Sequence, residues 1–272
     1  MPSSDLTPVS SKSNLIFFDD FSLGQLDRSK WNVRVTGTVV NTEQQAYVDS
    51  TETVYVTTIR DDAGTENQVL VLHPHFRPGF DTADGQQFDF ISGRIDTREK
   101  FDFCYGSASA RIMLPVGAGL WPAFWAMGDG QWPDNGEIDI MEYVGEPDWV
   151  SCAVHGPGYF GEGGLVNKLF FSNGKDATSW HVYTVDWMPE KLVFKVDDIV
   201  VYRITRPMID FFGGWAFDNR KFLILNFAIG GIYPFKTNGI QLPYFGLSEE
   251  ALNEIKNGRT RVLIDWVRVF SA

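Results

Sequence analysis

Short runs of aromatic and β-branched residues are the feature that most limits how this chain can fold. The runs are separated by Gly, Pro, Asn and Asp, and aromatic residues make up 15% of the 272-residue sequence. This distribution is typical of an all-β protein, because such side chains suit a pleated surface and the separating residues suit turns. The strands predicted in this way cover residues 68–73, 106–114, 137–143, 180–187, 192–196, 222–229 and 261–270.

The strand predicted at residues 261–270 is largely apolar on both faces, as expected for a strand buried within a sandwich. Only one segment carries convincing helix signals. Ser248 can cap its start, Glu249 and Glu250 fall in its first turn, and Gly258 can end it. One short helix beside many strands predicts two packed sheets in place of alternating strands and helices.

The balance of charge limits the partners of the chain. With 35 acidic and 23 basic residues, its formal net charge is −12, which repels nucleic acid and anionic membranes and favours a neutral substrate. No apolar run approaches the roughly 18 residues that span a bilayer. Residues 1–14 are polar and Ser-rich, without the pattern of a signal peptide. We expect a flexible segment at 1–14 and, because no linker interrupts the sequence, a single domain at 15–272. We also expect a monomer.

The chain has two cysteines, Cys104 and Cys152, which are too few for a disulfide framework or a cysteine-rich metal site. Each lies in an apolar stretch that resembles a strand, and this predicts two buried thiols. A disulfide between them stays open, because the sequence does not give the distance between their Cα atoms.

The most informative segment is the acidic strand E-I-D-I-M-E at residues 137–142. Side chains alternate between the faces of a strand, so Glu137 and Asp139 share one face. Strict alternation would bury Glu142 on the other face, where an ionised carboxylate is very costly. A one-residue bulge near Ile140 and Met141 removes the conflict, and bulges often re-aim side chains beside active sites. The sequence thus predicts three carboxyl groups on one face.

Such a row suits glycoside hydrolysis with retention, which needs two carboxyl groups about 5–5.5 Å apart. On a straight strand the two glutamates would lie about 13 Å apart at Cα, so the strand has to curve around the substrate. The charge of Asp139 would help to keep one neighbouring carboxyl group protonated. Two other interpretations remain open, namely a solvated acidic strand edge and a cation site.

Several motifs, in order along most of the chain, resemble glycoside hydrolase family 16 and its laminarinase branch, the endo-β-1,3-glucanases. They are the acidic strand, which resembles the bulged E-x-D-x-x-E signature, and residues 91–95, 119–125, 154–159, 225–231 and 264–269. The resemblance implies a jelly-roll β-sandwich of two curved antiparallel sheets, with a concave substrate cleft. It thereby supplies the curvature that the two glutamates need.

The resemblance also implies roles for individual residues. Glu137 matches the nucleophile, Glu142 the acid/base and Asp139 the supporting acid, while His155 matches a histidine near the acid/base. A purely structural role for His155 stays open. Residues that match substrate-binding positions are Asn41, Arg94, Trp121, Trp132 and Asn226, whereas Trp125 is expected in the core. For the three polar residues of this set, a purely structural role also stays open. Aromatic rings suit this role because sugar rings present apolar C–H faces.

The resemblance implies a structural Ca²⁺ on the convex side, held through Asp20 and Asp265, and no cofactor for catalysis. Hard oxygen donors suit this ion, although Asp265 could instead cap backbone amides. The sequence departs from the family at Ser107 and Ser109, where an Arg and a Glu are frequent. It also departs at residues 242–258, which are longer than the usual loop and could border the cleft or form a surface feature.

These observations predict a retaining hydrolase that cleaves internal β-1,3, or mixed β-1,3-1,4, linkages of a neutral glucan. The alternatives are a hydrolase or transglycosylase acting on another β-linked polysaccharide, such as a galactan, and a lectin on the same fold. Lectins of this family tend to lose the two glutamates, and both are present here. Because polymeric glucan lies outside most cells, we expect extracellular action.

Overall fold

The computed structural model describes residues 13–60, 64–172 and 174–272. Its strands are β1 (Leu15–Asp19), β2 (Asn32–Val33), β3 (Gln45–Tyr47), β4 (Val54–Arg60), β5 (Glu66–Leu72), β6 (His75–Asp81), β7 (Gln87–Ser92), β8 (Arg94–Asp96), β9 (Gly106–Met113), β10 (Leu120–Gly128), β11 (Glu137–Glu142), β12 (Trp149–His155), β13 (Leu165–Phe170), β14 (His181–Met188), β15 (Lys191–Val196), β16 (Ile199–Thr205), β17 (Lys221–Ile229) and β18 (Val262–Phe270). Its helices are α1 (Arg206–Asp210), α2 (Ile232–Asn238) and α3 (Glu249–Lys256). The predicted flexible segment 1–14 lies outside the described residues except for its last two.

Two large antiparallel sheets pack against each other within the described residues. The first has the order β16-β15-β14-β9-β18-β5-β4, with β1 also paired to β18. The second has the order β13-β12-β11-β10-β17-β8-β2, and its concave face holds the cleft. A small third sheet, β3-β7-β6, lies beside them. The structure confirms the predicted jelly-roll β-sandwich.

The core lies between the two sheets and contains one hydrophobic cluster, with members from β1 to β18. Large side chains such as Phe124 from the second sheet and Trp187 from the first are almost completely buried in it. Burial of a side chain of this size contributes about 1.5–3 kcal/mol, so this interface fixes how the sheets face each other. The catalytic strand predicted from sequence therefore lies on a rigid support.

All seven predicted strands are present, with ends that differ by at most two residues. The predicted helix is also present as α3, and its Ser248 hydroxyl accepts a hydrogen bond from the Ala251 amide at 3.1 Å. The expectation of a single helical segment was wrong, because α1 and α2 are helical too. They span only five and seven residues and contain Pro207 and Pro234, too little for a clear helical period.

Both cysteines are free thiols, Cys152 buried and Cys104 partly buried. The alternative of a disulfide between them is therefore not realised. Among the described residues, no helix combines the length and the apolar character needed to cross a bilayer.

Candidate active site

The acidic strand β11 is an inner strand of the concave sheet, between β10 and β12. Its three acids line a cavity of about 430 Å³. The remaining residues that line this cavity are Thr36, Thr38, Val40, Asn41, Glu43, Tyr47, Arg94, Trp121, Ala123, Trp125, Met127, Trp132, Asn226 and Ala228. All five residues that the sequence predicted as substrate-binding therefore meet at one cleft.

The predicted bulge brings Glu142 onto this face. Opposite β12, Asp139 pairs with Ala153 and Glu142 with Ser151, so three steps along β11 match two along β12. The extra residue lets Ile140 and Met141 both turn into the core, with 2% and 1% of their surfaces exposed. Hydrophobic burial of this adjacent pair thus explains why the third carboxyl group faces the cleft.

At one end of the row, Glu137 receives a hydrogen bond at 2.9 Å from the indole nitrogen of Trp132 to its Oε2. The Nε2 atom of His155 lies 3.9 Å from Oε1 of Glu137 and 3.3 Å from Oδ2 of Asp139. That Asp139 oxygen is buried without a hydrogen-bond partner. The resemblance placed His155 near the acid/base, but the ring lies at the Glu137 end of the row.

At the other end of the row, Oε1 of Glu142 accepts a hydrogen bond from the indole nitrogen of Trp121 at 3.2 Å. The ring of Tyr233 packs edge-on against Trp121, with 5.6 Å between the centroids. The Tyr233 hydroxyl is 3.0 Å from the Ser151 hydroxyl. Each glutamate is therefore oriented by its own tryptophan.

The three carboxyl groups have raised pKa values. The pKa values of Glu137 and of Glu142 are both raised to about 8. Burial is the largest cause, and the neighbouring charge of Asp139 is the second. Burial likewise raises the pKa of Asp139 to about 7. The row therefore keeps at least one proton near neutral pH, which a general acid requires.

Asn226 and Trp125 form a polar wall on one side of the row. The indole nitrogen of Trp125 donates to Oδ1 of Asn226 at 2.7 Å, and the Asn226 amide donates to the Tyr47 hydroxyl at 3.0 Å. The guanidinium of Arg94 lies 5.1 Å from the Trp125 ring centroid. The expectation that Trp125 belongs to the core was wrong, because it alternates with Phe124, which fills the core instead.

Glu43 is a cleft residue that the sequence reasoning missed. Its carboxylate accepts hydrogen bonds from Gln45 at 2.8 Å and from Asn41 at 3.5 Å. Burial raises its pKa, against the opposing charge of Arg94. The sequence held a signal, since Glu43 lies two residues after Asn41, which was predicted to bind substrate, and is the one acid in residues 41–47.

Lys221 supports the segment that leads into Glu137 and was also missed. Its side chain is fully buried, and the ammonium donates to the carbonyl oxygens of Asn135, Gly136 and Ala216 at 2.8, 3.1 and 3.0 Å. It also donates to the side chain of Asn219 at 2.8 Å. Burial lowers its pKa to about 7. The Lys221 ammonium therefore holds the loops at residues 135–136 and 216–219 against the start of β17.

The two residues predicted to hold calcium are engaged by other partners in this structure. Asp265 accepts hydrogen bonds from the Arg111 guanidinium at 2.5 Å and from the Asn67 amide, so both of its carboxylate oxygens are engaged. Asp20 accepts from the Ser22 amide. A Ca²⁺ site needs six to eight oxygen ligands, and a guanidinium beside the carboxylate opposes a second cation. As arranged, these residues do not fit calcium.

A larger cavity of about 550 Å³ lies against α3, lined by residues such as Met113, Val116, Glu250 and Arg261. No aromatic ring is among its described lining residues. Since sugar recognition relies on aromatic faces, the cleft with the acidic row is the better candidate site. The segment 242–258 contributes to this second cavity and not to the cleft lining.

A concave cleft with indole rings and a row of protonatable carboxyl groups defines an enzyme that cleaves glycosidic bonds. The chain belongs to glycosyl hydrolases family 16, whose family model matches residues 34–216.

Similar proteins agree with this membership. A beta-glucanase of Rhodothermus marinus is 32% identical, over 99% of this chain and 89% of its own length. Glucan endo-1,3-beta-glucosidase A1 of Niallia circulans is 31% identical over 82% of this chain, which spans only 35% of that protein. The structure of an endo-beta-1,3-glucanase from Pyrococcus furiosus superimposes with a TM-score of 0.80 at 28% identity, covering 95% of this chain and 94% of its own.

Proposed function

We propose that the protein hydrolyses internal β-1,3 or mixed β-1,3-1,4 linkages of a neutral glucan by a retaining double displacement. The observation that carries this proposal is the row of Glu137, Asp139 and Glu142 on one face of the cleft. The family membership and the similarity to glucan-cleaving enzymes support the reaction class.

Glu137 is the proposed nucleophile that attacks the anomeric carbon. Its charged form is stabilised by the Trp132 indole and by the nearby His155 ring, whose charge lowers the Glu137 pKa against the effect of burial. A nucleophilic carboxylate has to be ionised, and the Nε2 atom of His155 lies 3.9 Å from Oε1 of Glu137. Attack would give a covalent glycosyl-enzyme.

Glu142 is the proposed acid/base, which protonates the leaving oxygen and then takes a proton from the attacking water. The charges of Asp139 and Glu137 both raise its pKa, which favours the protonated form that the first step needs. Once Glu137 is consumed in the glycosyl ester, its charge is lost and the Glu142 pKa falls. The same group can then act as a base.

The cleft also supports the proposed substrate. Trp121 and Trp132 offer apolar faces to sugar rings, while Asn41 and Arg94 offer hydrogen-bond donors between them. The net charge of −12 favours an uncharged polysaccharide over a sulfated one. Because glucan polymers lie mostly outside cells, we place the action of the protein there, and we propose that it works as a monomer.

The test is reducing-sugar release from laminarin, lichenan and agarose by the wild type, Glu137→Gln and Glu142→Gln, with proton NMR of the first product. We expect cleavage of laminarin with a β-anomer formed first, and a loss of at least about a thousandfold in each variant. Glu249→Gln, an exposed helix residue, is the matched control and should stay active. An α-anomer formed first, or full activity in Glu137→Gln, would contradict the proposal.

A further inference from the structure

The concave sheet continues past the catalytic strand through β12 and β13, and this end of the cleft differs from the rest. The residues that line the cavity come from the other side of the sheet and from β11, with none from β12 or β13. Ser151 and Ala153 on β12 pair with Glu142 and Asp139, yet only 2% and 0% of their surfaces are exposed. The concave face is therefore covered at β12, directly beside the catalytic row, whereas Val166 on the edge strand β13 is exposed.

One wall of this covered region is the β12–β13 connection, residues 156–164. Phe160 packs edge-on against Trp132, with 5.3 Å between the ring centroids and 80° between the planes. Trp132 in turn donates its hydrogen bond to Glu137. This wall thus rests on the tryptophan at the nucleophile end of the row.

The opposite wall is α2, which rests on the tryptophan at the other end. Tyr233 packs edge-on against Trp121, the partner of Glu142, and its hydroxyl contacts Ser151. The ring of Phe235 stacks on Phe245, with 4.2 Å between the centroids, which gives α2 a second aromatic contact. The two walls therefore have equivalent supports, one at each glutamate.

Among the described residues, one ion pair joins the two walls. The Lys236 ammonium of α2 lies 2.5 Å from Oε1 of Glu162 in the β12–β13 connection. The two side chains are 40% and 77% exposed, so the pair lies at the surface and is not part of the core. Exposed ion pairs are weak and are screened by salt, so a bound sugar chain can separate this one.

We infer that the Glu162–Lys236 pair is a clasp across the β12–β13 end of the cleft, and that it limits how many sugar units bind beyond the catalytic row. The inference rests on the proposed function, because it assigns a specificity determinant to the same cleft. Short glucans are cleaved without opening the clasp. Longer glucans have to displace it, and this cost appears as lower kcat/KM.

The test compares the wild type with Glu162→Gln, Lys236→Met and the double variant with both charges exchanged, E162K with K236E. Substrates are β-1,3-gluco-oligosaccharides of increasing length, with cut positions read by mass spectrometry after labelling the reducing end. Each single variant should raise kcat/KM for the longest substrates about two- to fivefold relative to the shortest, as expected for one exposed pair. The exchanged pair should restore the wild-type ratio, which loss of folding or packing would not do.

Two controls separate the clasp from general effects of charge. Glu254→Gln breaks the exposed Glu254–Arg259 pair of α3 and should leave the ratio unchanged. High sodium chloride should make the wild type behave like the single variants, while the variants themselves change little. Equal ratios and equal cut positions in all proteins, with the wild type active on glucan, would overturn the clasp alone. A folded wild type without activity on any glucan would overturn the proposed function and the clasp together.

Discussion

Burial is the main reason why the pKa values of both glutamates are raised, and the charge of Asp139 is the next largest cause. Replacement of Asp139 by Asn removes that charge and should lower both pKa values. Both limbs of the bell-shaped dependence of kcat/KM on pH should then move to lower pH, by about one pH unit. The acid limb follows ionisation of Glu137, and the alkaline limb follows loss of the Glu142 proton.

The pH profile should be measured for Asp139→Asn beside Asp129→Asn, an exposed aspartate paired with Arg98. The control should reproduce the wild-type limbs. A lower rate with unmoved limbs in Asp139→Asn would mean that Asp139 acts by position and not by charge.

Lys221 should affect both stability and catalysis, although it is not among the residues that line the cleft. Lys221→Met removes the donor for four oxygen atoms, and each buried acceptor left unpaired costs about 1–3 kcal/mol. We expect a fall in Tm and a fall in kcat, because the segment before Glu137 loses its anchor. Thermal melts and kinetics of Asn219→Ala give the comparison. This variant removes one acceptor of Lys221 and the Asn219 donor to the Asn135 carbonyl, but it keeps the three contacts of Lys221 with carbonyl oxygens. Equal effects of the two variants would contradict the anchoring role.

At the scale of elements, the bulge in β11 can be tested by changing the length of the strand, which a substitution leaves unchanged. Deletion of Ile140 leaves Glu137, Ile138, Asp139, Met141 and Glu142 in strict alternation, so all three acids still face the cleft. The variant should fold with lower stability, because a buried isoleucine is lost, and should keep measurable activity. A displacement of about 1 Å can still cost about a hundredfold in rate.

The control for this deletion is the insertion of one alanine between Ile138 and Asp139. The insertion turns Glu137 away from the other two acids, unless a new bulge forms, and should abolish activity. Circular dichroism separates folding from catalysis in both variants. An inactive but folded deletion variant would show that the bulge also sets the distance between the two glutamates.

The elements that could be predicted from sequence were those with a local physical signal. The bulge followed from the cost of burying Glu142, and α3 followed from the Ser248 cap and the acids of its first turn. By contrast, α2 has no capping side chain and contains Pro234, and it is held by contacts such as the stack of Phe235 on Phe245. Its existence depends on tertiary packing, which the local sequence does not encode.

The cleft shows the same division. The three acids of β11 could be identified because their spacing along one strand restricts where they point, and Asn41, Arg94 and Asn226 followed from the family resemblance. Glu43 was missed, because it lies outside that strand. Trp125 was misplaced because β10 alternates between two large aromatic residues, and the sequence does not reveal which one faces the core. Lys221 and the Glu162–Lys236 pair depend on partners that are distant in sequence, so no local pattern predicts them.

For the molecule as a whole, the pairing of Arg111 with Asp265 bears on whether the sandwich needs a metal ion. Asp265 on β18 is 7% exposed, and Arg111 reaches it from the neighbouring strand β9. The guanidinium supplies the positive charge that a cation would otherwise supply at this carboxylate. We therefore expect the Tm of the wild type to be the same with EDTA and with added Ca²⁺, as measured by calorimetry.

Arg111→Met provides the decisive comparison for that expectation. Removal of one partner of a buried pair costs about 3–5 kcal/mol, and because the Arg111 side chain is 36% exposed we expect a smaller loss, of about 1–3 kcal/mol. The variant should melt at a lower temperature, and Ca²⁺ should now raise its Tm, because the freed Asp265 carboxylate can take an oxygen-seeking cation. A fall in the wild-type Tm with EDTA would contradict this view, since it would show that the sandwich is held by a metal ion despite the arginine. Equal melting of wild type and variant would show instead that the pair contributes nothing across the sheet.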